Sequence, residues 1–128
     1  MNRKLCALAF SLYMFTLPTY AANWVSVTVS SIGDEFFVDK SSLQRDGDSV
    51  TFWAKDNYGE RTTQGALSAK VQETVNCRRR EKIMRYYINY DDKDNRGRVI
   101  VSGNPEDKWR PIPPGTVAWD VMQFVCRK

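Results

Sequence analysis

A short apolar helix that ends in a cysteine needs something to dock on, and the last twenty residues of this chain have that form. Trp109-Arg110-Pro111-Ile112-Pro113-Pro114-Gly115-Thr116 leads into Val117 to Cys126. Three prolines hold the lead-in extended, because proline fixes φ and biases the residue before it away from the helical region. Thr116 reads as a helix N-cap, since its hydroxyl can accept from a free N–H of the first turn. Val117, Ala118, Val121, Met122 and Val125 recur at helical spacing and form one apolar stripe. A helix of about three turns is marginal alone in water. It must lie on another layer, and Cys126 at its end points to a covalent tie.

The other end of the chain is read as a leader. Asn2-Arg3-Lys4 is a basic start, Leu5 to Leu17 is an apolar run too short to span a bilayer, and Pro18 to Ala22 supplies small residues for cleavage. Residues 1–21 are therefore expected to be a signal peptide, cut after Ala21 or Ala22, with one domain over residues 22–128. Cys6 leaves with the leader, and Cys77 and Cys126 remain. Two cysteines in an exported chain read as one disulfide. Closing so long a loop should stabilise by about 4 kcal/mol on the chain-entropy account. Arg3-Lys4-Leu5 precedes Cys6 instead of a small-residue lipobox, so no lipid anchor is expected.

Losing Arg3 and Lys4 from 19 basic residues leaves 17 against 15 acidic ones. That balance is too even for a nucleic-acid partner. No second apolar run reaches spanning length, so the mature chain is expected to lack a transmembrane segment. The chain has no histidine. The usual general base and the commonest metal ligand are therefore missing, and pairing of the two cysteines would leave no thiolate. No catalytic residue, metal site or cofactor is expected, and the chain is not read as an enzyme.

Between the two ends the pattern is short strands at hairpin spacing. Trp24 to Ser30 alternates, with Val25, Val27 and Val29 on one face. Glu35 to Asp39 is a second strand, followed by a helical turn near Lys40. Arg45-Asp46-Gly47-Asp48 is a tight turn, because Asp-Gly tolerates the positive φ a hairpin requires. Ser49 to Lys55 puts Val50, Phe52 and Ala54 on one side, with Thr51 and Trp53 on the other. Asp56 to Ala66 reads as a mobile loop. Lys70 to Cys77 aligns Val71, Glu73, Val75 and Cys77, and Glu73 suggests a face only partly buried. Lys82 to Tyr90 sets Met84, Tyr86, Ile88 and Tyr90 against Ile83, Arg85, Tyr87 and Asn89. Arg98 to Val101 closes the set. The expected fold is α+β: a single antiparallel sheet of about five or six strands, with a C-terminal α-helix packed on one face and tied by the disulfide.

Few side chains invite a function. Asp91, Asp92 and Asp94 resemble the start of a calcium loop, but Arg96 stands at a ligand position and Gly103 where the bidentate Glu belongs. A solvated hairpin turn is the expected reading. Glu35, Asp39 and Glu73 show no spacing that singles out an acid pair for glycoside hydrolysis. Arg78-Arg79-Arg80, with Lys82 and Arg85, is the densest basic patch, and guanidinium forks suit carboxylates, sulfates or phosphates. A charged hairpin tip that merely keeps a sheet soluble accounts for the same run. Trp53, Tyr86, Tyr87 and Tyr90 are candidates for an aromatic patch.

Three segments together resemble the bacterial surface-adhesin protein E family. They are Val38-Asp39-Lys40-Ser41-Ser42-Leu43 with Asp46-Gly47 and Val50 to Lys55, the strand-ending Cys77, and Trp109 to Thr116 with its cysteine-closed helix. The resemblance spans about Phe37 to Cys126. It implies an antiparallel sheet with a disulfide-anchored C-terminal helix, and a virulence role in attaching a Gram-negative bacterium to host extracellular-matrix or serum proteins. The expected partner is thus another protein, or a second copy of the chain in a homodimer. Arg78, Arg79, Arg80, Lys82, Arg85 and Tyr87 are the candidate contact residues. Without a lipobox, a periplasmic place competes with the cell surface. The alternative function is a soluble envelope factor or an inhibitor of a lysozyme-type hydrolase.

Overall fold

A computed structural model describes residues 13–17, 21–105 and 108–128. The expected leader falls for the most part outside the described residues. Within them no helix is long and apolar enough to cross a membrane.

The alternating segments pair as hairpins into one antiparallel sheet. Its strands are β1 (Trp24–Val29), β2 (Glu35–Asp39), β3 (Gln44–Asp46), β4 (Ser49–Asn57), β5 (Ser68–Asn76), β6 (Glu81–Tyr90), β7 (Val99–Gly103) and β8 (Arg110–Pro111), followed by α1 (Val117–Val125). The order across the sheet is β1-β2-β4-β5-β6-β7, with β3 on β4 and β8 on β6. Five or six strands were expected and eight are present among the described residues. The additional pairings are brief. Gln44 to Asp46 pairs with Ser49 to Thr51 on the far side of Gly47, whose φ is +57°. The proline-held lead-in reaches β6, where Lys82 faces Arg110 and Glu81 faces Pro111.

Three bulges interrupt the simple two-residue period, one of them at Ile100 on β7, and the other two move side chains across the sheet. On β1, Ser26 pairs with Phe37 and Thr28 with Phe36, so Val27 is the additional residue. Beyond it the strand flips. Val29 leaves the stripe of Val25 and Val27 and is 59% exposed, while Thr28 turns to α1 and donates to Asp120 Oδ2 at 3.0 Å. On β6, Gln72 pairs with Tyr86 and Glu73 with Met84, so Arg85 is the additional residue. Met84 therefore shares the α1 side with Tyr87, against expectation, and Tyr86, Ile88 and Tyr90 stay together on the opposite side.

The core lies between the sheet and α1. Val38, Val50, Phe52, Ala54, Val71 and Val75 face Val121, Met122 and Val125, with Ile112 from the lead-in. Sealing a side chain of this size contributes about 1.5–3 kcal/mol. Thr116 caps α1 by accepting from Trp119 N at 3.2 Å. At the far end Cys77 and Cys126 are bonded, their Cα atoms 5.8 Å apart. The helix is thus capped at its start and fixed at its end.

Candidate functional site

The β5–β6 turn places Arg78, Arg79 and Arg80 at one end of the sheet, with Arg80 at φ +55°. The three guanidinium groups diverge. Arg78 Nε meets Asp48 at 3.0 Å, and Arg79 meets Glu81 at 3.2 Å. Arg80 lies over the Trp119 ring of α1 at 5.4 Å. Arg45 from β3 donates to the Arg127 carbonyl, which brings the C-terminus to the same end. This addition was not foreseen, because nothing in the chain pattern links Arg45 to Arg127. The other candidates go elsewhere. Lys82 turns under α1 and pairs with Glu73 at 2.9 Å. Arg85 lies on the opposite face, where Nε donates to Thr74 Oγ1 at 3.3 Å and the guanidinium sits 5.9 Å from the Trp109 ring. Tyr87 packs against the core on the α1 side. The six residues therefore occupy three places, with Arg78, Arg79 and Arg80 forming the exposed group.

A second polar group is enclosed. Asp56, Glu73 and Lys82 line a cavity of about 70 Å³ beneath the first turns of α1, beside Val117, Ala118 and Val121. Asp56 had been assigned to a loop, but β4 continues through Asn57 and carries Asp56 on the core side after Val50, Phe52 and Ala54. The unbroken alternation was the signal that could have found it. Burial, reinforced by the Glu73 carboxylate, pushes the Asp56 carboxyl up to about 7, while Lys82 pulls the other way. Glu73 is 7% exposed, so this face of β5 is buried rather than half-covered. The cavity holds water-sized groups and is too small for a sugar ring, so these carboxyls do not form a hydrolytic cleft. The other carboxylates considered have structural partners. Asp39 accepts from Asn23 N, Ser41 N and Ser41 Oγ, and Glu35 accepts from Ser26 Oγ.

Among the described residues no α-helix covers the face away from α1, and cations against aromatic rings order it. Lys55 is 7% exposed, held 4.4 Å from the Phe37 ring and 5.2 Å from that of Trp24. It donates to Asp94 Oδ1 at 3.1 Å. Asn57 also donates to Asp94, and these two bonds hold its carboxyl below the usual carboxylate range. Asp91 accepts from Arg98 N and Asp92 from Lys93 N, so the three aspartates once compared with a calcium loop order their own turn. No group of His, Cys, Asp and Glu among the described residues gathers as a metal set. Lys70 lies 4.8 Å from the Trp53 ring, which meets Tyr86 edge-on at 6.4 Å. Trp53 and Tyr86 thus share a patch, and Tyr87, the next residue along β6, faces the other way.

The β4–β5 loop, expected to be mobile, is tied at several points. Tyr58 N donates to Leu67 O, Thr62 N to Ala66 O, and Gly59 N to Asp34 Oδ1 at 2.8 Å. A Cβ at Gly59 would stand 2.6 Å from Ile32 O, so the close approach of the two loops requires glycine.

The sequence profile of the surface-adhesin protein E family matches residues 24–127. Crystal form II of Haemophilus influenzae protein E superposes with a TM-score of 0.60 at 17% identity, covering 84% of this chain and 90% of that one. Protein E from non-typeable Haemophilus influenzae gives 0.54 at 18% identity, covering 85% and 79%. At these identities the likeness is one of fold. No curated protein sequence matches the chain.

Proposed function

The chain belongs to the surface-adhesin protein E family, and on that premise we propose that it is an exported, non-catalytic binding protein whose basic end takes an acidic stretch of another protein. The family match over residues 24–127 carries the reading. The exposed guanidinium groups of Arg78 and Arg79 support it, since each can turn from its present acid to a partner's carboxylate. Arg80 stands at the same end and also steadies α1 through Trp119. A host extracellular-matrix or serum protein is the first candidate partner, with the protein displayed at the cell surface.

A second reading keeps the same binding end and changes the partner. The expected leader carries Arg3-Lys4-Leu5 before Cys6 and no lipobox, which favours a periplasmic factor that inhibits a cell-wall hydrolase. Capture from serum and from matrix extract, by the wild type and by the Arg78→Glu/Arg79→Glu variant, tests the first reading. Retention by the wild type that weakens with salt and with the double substitution is expected. Equal retention by both proteins, or labelling only after the outer membrane is breached, would overturn it; a hydrolase retained from envelope extract would support the second.

A further inference from the structure

On the face that α1 leaves open, a shallow groove of about 460 Å³ runs across β3, β4 and β5. Thr51, Gln72 and Thr74 form its floor, Trp109 and Arg85 one wall, and Asp46 the other. It lies away from the enclosed Asp56 cavity and does not include the arginines of the β5–β6 turn.

The lining restricts what can bind. An anion entering the groove meets the Asp46 carboxylate, and a cation meets the Arg85 guanidinium. A purely apolar ligand would strip water from an amide, two hydroxyls and two charged groups without replacing the lost hydrogen bonds. The lining fits a neutral molecule whose own groups both donate and accept, and which offers a C–H face to the indole. A sugar has both properties. Three of the polar groups are also held in place. Thr51 Oγ1 and Thr74 Oγ1 bond to each other at 2.8 Å, and Arg85 Nε donates to Thr74 Oγ1. Groups already ordered lose less freedom when a ligand arrives. Trp109 remains 39% exposed, which leaves part of its surface for stacking.

The surface continues past a single ring. Trp53 pairs in register with Gln72 and so sits next to the floor on the same face. Its contact with Tyr86 fixes a second aromatic group beyond the first. We propose that this groove is a binding site for a neutral oligosaccharide, with the exposed part of Trp109 as its stacking surface, Gln72, Asp46 and Arg85 reading hydroxyls, and Trp53 with Lys70 bordering the groove. Cell-wall glycan and the neutral glycans of host glycoproteins share this chemistry. The inference does not depend on the protein-binding end.

Nuclear magnetic resonance titration of the mature protein tests it with three probes: chitotetraose for wall-type sugar, lacto-N-tetraose for host-type glycan, and a heparin tetrasaccharide as polyanion. At about 10 mM sugar a site with Kd near 1 mM is largely occupied. At least one neutral probe should shift the Gln72 side-chain amide and the Trp109 indole N–H, and which one binds better assigns the source. Trp109→Ala should weaken that binding at least tenfold. Gln72→Ala, which removes a side chain from the groove floor without touching either indole, should weaken it several-fold. Silence of both signals with both neutral sugars, unchanged binding in the two variants, or a preference of the groove for the heparin fragment would each overturn the proposal.

Discussion

Along β4, Val50, Phe52 and Ala54 point under α1 and are at most 5% exposed, while Thr51 and Trp53 point the other way and keep part of their surface in water. The same strand therefore supplies two different surfaces. Beneath α1, apolar contacts cover the sheet and bury Glu73, with Asp56 and Lys82 partly buried beside it. On the open face, order comes from Lys55 between Phe37 and Trp24 and from Lys70 against Trp53. Cation–aromatic contacts hold these side chains in place without a covering helix. The difference separates stability from recognition: changes to the apolar contacts under α1 should cost the most stability, and changes at exposed positions of the open face or the basic end should cost little.

The largest expected effect is loss of the bridge. Cys126→Ser frees the end of α1 and relaxes the unfolded chain, at a cost of about 4 kcal/mol. For a domain of this size that lowers Tm by roughly 15–25 °C. Thermal melts under non-reducing conditions measure it, and an unchanged Tm would mean that α1 stays docked without its tie. Next comes Lys82→Met, which leaves Glu73 buried beside Asp56 without its cation. Removing one partner of a buried pair costs about 3 kcal/mol. A denaturant midpoint equal to wild type would show that water already reaches Glu73 and that the face under α1 is less closed than described.

Asp56 gives the same face a pH dependence. Its carboxyl titrates at about 7 when folded, against 3.8 for the free group. The folded chain therefore holds the proton more tightly. The stabilisation is complete below the unfolded value and is lost as pH rises through the folded one. Stability should fall from about pH 4 to about pH 7 by roughly 2 kcal/mol, less than the full shift implies because Asp56 is only part-buried. Asp94, whose carboxyl is held low, contributes the opposite sign, losing stability as pH falls through its folded value, below this window. Tyr58, raised to about 12, acts only above its ordinary value of 10.0. Asp56→Asn should flatten the profile and be the more stable protein at about pH 8. A slope that survives the substitution would assign the effect to another group.

How much of this was legible follows from how local each cause is. The cap at Thr116, the apolar stripe of α1, the Gly47 turn and the Cys77–Cys126 tie rest on neighbours in sequence or on the only cysteines left, and they were readable. The bulges at Val27 and Arg85 were not, because an additional residue in one strand is defined by its partner strand. Missing them put Val29 and Met84 on the wrong sides. Asp56 was hidden by its polarity, since a carboxylate in an apolar alternation looks like the end of a strand. The spread of Arg78, Lys82 and Arg85 over three places follows from the same cause: consecutive strand residues face opposite ways, and a bulge shifts the count again. The groove could not be read at all, since Trp109, Thr51 and Gln72 meet only through the pairing of β3, β4, β5 and β6.

The smallest expected effect lies at the basic end and tests the separation most directly. Arg78 and Asp48 form an ion pair whose side chains are 76% and 55% exposed. In such a setting the attraction is screened by water and salt, and two long side chains lose freedom to meet. Arg78→Ala should therefore change stability by no more than about 0.5 kcal/mol, within the scatter of most surface substitutions. The backbone at this turn is held independently, by Arg80 N to Asn76 O and by Cys77 N to Asp48 O. A cost well above 1 kcal/mol would show that the turn is braced by its arginines and that recognition and stability share that end. A near-zero cost, combined with weaker capture of an acidic partner, would leave Arg78 free of any structural duty and assign it to the surface that meets other molecules.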